Sequence, residues 1–99
     1  MVGTDAEQRR AHREAALAHV AELITHLQTA NLQDGPALLD VAGHLQRAIT
    51  AFHLEAIRFR MYTLERAIRL QGITGPIADS FNAIRRELEA AGFATRSHG

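Results

Sequence analysis

The sequence predicts an all-α protein of three antiparallel helices, spanning about 5–31, 35–71 and 75–91, with the long central helix as a shared spine. Three observations lead there. Apolar residues recur at helical spacing in three segments, and no alternating strand pattern competes with them. Each segment is bracketed by helix start and stop chemistry. The length of 99 residues, with no linker-like interior, suits a single helical domain over 1–99.

The first helix opens on Thr4-Asp5-Ala6-Glu7, a capping box in which Thr4 accepts from the Glu7 amide while the Glu7 carboxylate reaches back. It runs to about Asn31. The second opens on Asp34-Gly35-Pro36, where Asp34 is placed to cap and Pro36 sits in the first turn without losing a needed donor. It continues to Gly72, a C-cap glycine. The third repeats the device as Thr74-Gly75-Pro76 and stops at Gly92, with Phe93 positioned to fold back on Leu88. Residues 94–99, small and polar, are expected to fray, as are residues 1–3.

At ~1.5 Å per residue the central helix is expected to be about 55 Å long, against about 35 Å for the width of a compact domain of this size. An elongated molecule follows. Gly43 weakens the spine, yet no proline interrupts it. Around its axis the spine carries two apolar stripes: Leu38, Val41, Leu45, Ile49, Phe52, Ala56 and Phe59, then Leu54, Ile57, Met61, Leu64 and Ile68, roughly 135° away. Helix 1 folds onto the first stripe and helix 3 onto the second. The arm formed by 17–32 and 36–52 is then two helices thick, with more apolar surface than one chain can cover. Leu17, Val20, Leu23, Ile24, Leu27, Leu38, Val41, Leu45, Ile49 and Phe52 are the candidate interface, and the chain itself is the expected partner, as a homodimer or homotetramer in a helical bundle. Another protein is the other candidate partner.

Composition narrows the function classes. The apolar fraction of 46% and charged fraction of 22% describe a globular chain with a core to bury. Eleven acids balance eleven bases, so no net field draws in nucleic acid or an anionic membrane. The absence of Cys excludes disulfides, thiolate metal sites and cysteine nucleophiles. All bases are Arg, which removes lysine Schiff-base chemistry. No apolar run is long enough to span a bilayer, and Met1 to Arg13 lacks the apolar stretch of a signal peptide, so a cytoplasmic location is expected.

The candidate chemistry is sparse. His12, His19 and His26 recur every seven residues along the border of the helix 1 stripe, where imidazoles commonly lay an edge on the core and keep a nitrogen in water. Glu22 with His26, and Asp40 with His44, offer two carboxylates and two imidazoles for a transition metal such as Zn, Fe or Mn. Each pair also has the acid-before-base i,i+4 order that stabilises a lone helix. Arg47, Arg58 and Arg69 fall at eleven-residue intervals on one face of the spine and could track phosphates, although Asp40, Glu55 and Glu65 are interleaved with them. No nucleophile elbow, phosphate loop or His-Glu-x-x-His motif is present.

Two resemblances are limited. Glu55 and Tyr62, seven apart, resemble one feature of ferritin-like di-iron helices, whose Glu-x-x-His this sequence lacks. Two long helices followed by a short one resemble the layout of the copper- and formaldehyde-sensing repressors, which bind DNA through helical surfaces. Their sensing Cys has no counterpart, so that resemblance implies a layout and no residue role. The expected function is a non-catalytic, self-associating helical interaction module (adaptor, scaffold or assembly subunit). A metal-binding bundle for sensing, storage or redox work and a helical DNA- or RNA-binding regulator are the alternatives.

Overall fold

A computed structural model describes residues 5–93, and within them four helices: α1 (Asp5–Thr29), α2 (Gly35–Thr50), α3 (Leu54–Gln71) and α4 (Pro76–Ala90). No strand occurs among the described residues. The Thr4 half of the expected capping box, and the segments expected to fray, lie outside them. The all-helical expectation holds, while the expected count of three is corrected to four, because the spine is two helices. It is unbroken at Gly43, where an added Cβ would meet only the tip of Arg47. The break falls eight residues later, at Ala51-Phe52-His53.

That corner is a Schellman-type ending without a glycine. The Ala51 amide donates to the Arg47 carbonyl at 2.9 Å, Phe52 to Ile49 at 3.2 Å, and His53 to Ala48 at 3.0 Å. Phe52 takes the left-handed position, with φ 60°, where glycine is usual. His53 is extended and its carbonyl receives the Ile57 amide, which starts α3. The energetics favour the bend. On one straight cylinder the stripes of α2 and α3 would face different directions. Once bent, Leu38, Leu45 and Ile49 from α2 and Ile57, Met61 and Leu64 from α3 all enter one core. Burying three large α3 side chains contributes about 1.5–3 kcal/mol each. The left-handed residue costs about 1–2 kcal/mol and the interrupted helix a few hydrogen bonds at about 1 kcal/mol each.

The remaining ends follow the sequence more closely. Gly72 caps α3 in the left-handed region, with Ile73 donating to Ile68 at 2.9 Å. Phe93 donates to Leu88 at 2.9 Å across Gly92, closing α4 as expected. Gly75, at φ 79° and ψ −146°, occupies a region essentially closed to other residues and turns the chain into Pro76. Asp34 departs from expectation: it stands at the N-cap of α2 with φ 62° and its side chain makes no capping hydrogen bond.

The helices run alternately up and down. The start of α1 meets Phe52 and Phe93 at one end, and Thr29 to Leu32 meet the α3–α4 turn at the other. α1 packs most extensively on α4 and also on α2; α3 packs mainly on α2 and slightly on α4, and its backbone lies diagonally across the shared core from that of α1. This overturns the premise that the 17–52 arm is only two helices thick, because α4 lies along α1 and covers it. The expected elongated shape remains, with extents of 49 × 30 × 21 Å and a radius of gyration of 13.4 Å, but helices lying side by side produce it rather than one continuous spine. No helix among the described residues is long and apolar enough to cross a membrane.

Two polar ties supplement the core. His12 Nδ1 and Glu87 Oε1 stand 2.7 Å apart between α1 and α4. Between α3 and α4, where packing is thin, Glu65 Oε1 lies 3.0 Å from Arg85 Nη2, an ion pair without an aligned hydrogen bond; the Arg85 side chain is only 12% exposed. Arg85 also stacks on Phe81 at 4.9 Å, while Arg69 reaches Glu65 from the solvent side at 3.9 Å.

Glu65→Gln is therefore expected to lower stability by about 1–3 kcal/mol in urea melts, by stranding the Arg85 guanidinium, whereas Arg69→Ala changes it by less than about 0.5 kcal/mol. Ile49, with no exposed surface inside one chain, makes a second test: Ile49→Asp should abolish helical circular dichroism at every protein concentration. A folded Ile49→Asp protein would contradict this core.

Candidate functional site

Most of the residues expected to form an interface lie inside the protomer. Val20, Leu23, Leu45 and Ile49 have no exposed surface, and Leu27 and Leu38 very little. Leu17, Ile24 and Val41 are half-buried against the same core. Only Phe52 is well exposed, at 60%. These side chains form one chain's core, and any surface for a partner has to be sought elsewhere.

The metal candidates do not converge. Glu22 engages His19 at 2.9 Å, one turn back, rather than His26. The Arg47 guanidinium donates to His44 Nδ1 at 2.6 Å, so that ring faces a cation. Among the described residues no group of three or more His, Asp or Glu is arranged to hold a metal ion. The arginine stripe is divided by the corner, since Arg47 belongs to α2 and Arg58 and Arg69 to α3. The layout that resembled the sensing repressors changes in the same way, with a bent spine in place of a second long helix.

What the bend creates is an exposed face on α3. The core-facing residues Ile57, Met61, Leu64 and Ile68 define one side of this helix. At 100° per residue, Glu55, Phe59, Tyr62, Arg66 and Leu70 centre about 180° away. All five are exposed, and the three apolar ones are large: Tyr62 is 43%, Phe59 57% and Leu70 70% exposed. Shallow depressions flank the ridge, one of 340 Å³ bounded by Glu55, Arg58, Phe59 and Tyr62, the other of 370 Å³ reaching from Tyr62 along Arg66 to Leu70. Arg60 lies over the Phe59 ring, 4.9 Å from its centroid.

Sequence reasoning placed Phe59 at the end of the first spine stripe, and so in the core. The corner turns that end of the stripe outward. The missed signal was the overlap of the two stripes, since Ala56 and Phe59 of the first lie beyond Leu54, where the second begins, and one stretch of helix cannot serve two cores. Glu55 and Tyr62 do share a face, and it points away from the bundle interior, unlike the inward carboxylates of a di-iron site. Comparison with protein-family models, with curated proteins and with solved structures finds no match for this chain.

Proposed function

We propose that the chain is a non-catalytic helical interaction module, an adaptor, scaffold or assembly subunit, that pairs with a second copy of itself through the outer face of α3. The single observation that carries this reading is the internal symmetry of that face. Glu55 and Arg66 are equidistant from a point between residues 60 and 61, and so are Phe59 and Tyr62. Two copies laid antiparallel about a two-fold axis at that point set Glu55 of one against Arg66 of the other, twice, about 8 Å either side of the axis. The four aromatic rings fill the middle. A parallel arrangement would oppose Glu55 to Glu55 and Arg66 to Arg66, so charge selects the antiparallel one.

The face is one helix of 18 residues, about 27 Å long. Pairing through it alone falls at or below the small end of specific interfaces, which begin near ~1,200 Å² in total, so a reversible association is the physical expectation. Aromatic rings contribute the apolar part and the end charges set the register.

A charge-swap series read by sedimentation equilibrium checks this. Glu55→Arg alone, or Arg66→Glu alone, places like charges opposite at both ends and should weaken dimerisation at least about tenfold; the double swap should restore it. Phe59→Asp should leave a folded monomer. A wild-type chain that stays monomeric to about 1 mM, or a double swap no better than either single, would remove the proposal.

A further inference from the structure

At the end of the bundle where the start of α1 meets the ends of α2 and α4, a pocket of 440 Å³ opens. Its size lies within the ~300–1,000 Å³ of small-molecule sites. Two aromatic rings stand in its wall: Phe52 and Phe93, with centroids 6.4 Å apart and planes tilted by 33°. Ala6, Ala91 and Gly92 keep the floor low, and the Arg9 stem comes within 3.7 Å of where a Cβ on Gly92 would sit.

The polar part of the lining is arginine. Arg9, Arg10 and Arg13 border the pocket, and none of the three makes an ion pair among the described residues. Arg13 is the most constrained: its guanidinium stacks 4.1 Å over the Phe52 ring and its Nε is buried without a hydrogen-bond partner. Arg85, by contrast, is matched by Glu65 where it crosses between helices. The first turn of α1 carries the usual acids, Asp5 and Glu7, and the three arginines follow them in the next two turns, at the pocket.

Phe52 supplies an independent pointer. It adopts a left-handed backbone that glycine would adopt without strain, and it leaves 60% of its surface in water. Neither core burial nor backbone preference accounts for a phenylalanine there, and strain of this kind clusters where a site needs it.

We propose that this pocket binds a small organic anion with a flat aromatic body, an aryl carboxylate, sulfonate or phosphate. The ligand ring packs on Phe52 and Phe93, and its anionic group takes hydrogen bonds from Arg9 and Arg13, with Arg10 at the rim. α3 contributes nothing to the lining, so the site stands whether or not the chain self-associates.

Calorimetric and NMR titration of the full chain with phenyl phosphate, benzoate and naphthalene-2-sulfonate tests it, with inorganic phosphate and benzyl alcohol as controls. At least one aryl anion should saturate one site per chain at about millimolar affinity, well inside the bound that ligand size sets, with both controls at least about tenfold weaker. Arg9→Gln and Arg13→Gln should each weaken it about fivefold or more, and the affinity should fall with added salt. Phe52→Gly removes the ring and relieves the backbone, so it should abolish binding without lowering the thermal midpoint; if that variant fails to fold, Arg13→Gln carries the test. No saturable binding of any aryl anion below about 20 mM, equal binding of inorganic phosphate, or unchanged binding by Phe52→Gly or Arg13→Gln would overturn the proposal.

Discussion

The structure depends on a direction change made by three residues. Without the bend at Ala51-Phe52-His53, α2 and α3 would be one rod whose apolar stripes look different ways, and no second layer could cover both. With it, the α3 stripe turns towards the α2 stripe, and α4, returning from the Gly72 to Gly75 turn, lies against α1. The four-helix arrangement that looked as though it needed two chains is met within one. Its driving force is burial of aliphatic side chains such as Leu23, Leu45, Ile57 and Ile84, each with no surface left exposed.

The same bend decides what the surface carries. The stripe that runs Leu38, Leu45, Ile49 points inward as far as the corner, and its continuation at Phe59 points outward. Phe52, at the corner itself, projects at the end of the bundle beside Phe93 and Arg13. One local backbone choice thus exposes two aromatic residues on different faces. One joins a ridge whose ends carry opposite charge, the other a recess rimmed by arginines.

Helix existence was legible in the sequence because periodicity and glycine or proline punctuation agreed at most boundaries: Pro36, Gly72, Gly75 and Gly92 all stand where they were read. The corner was not legible, because it uses none of that punctuation. Phe52 occupies a glycine position and His53 makes no side-chain cap, so local chemistry said helix while tertiary burial said turn. Asp34 misled in the opposite sense, having the right chemistry for a cap and the wrong backbone for it. The apolar surplus on 17–52 was correctly counted, but its cover was sought in a second molecule because an unbroken spine would have carried α4 out of reach. The candidate sites were less visible still. A helix face opposite the core, and three arginines beside two phenylalanines 41 residues apart, become neighbours only when the chain is folded.

The broadest packing in the molecule joins its first helix to its last, with His12 and Glu87 in contact across 75 positions of sequence. Contacts of such separation form late, because the loop they close must be ordered before they repay it. During synthesis, α1 emerges with the side of its apolar arc meant for α4 still bare, and it stays bare until Pro76 to Ala90 have been made. A nascent chain halted before α4 would present that stripe to the cell as an open hydrophobic groove, a substrate for chaperones rather than a smaller version of the protein.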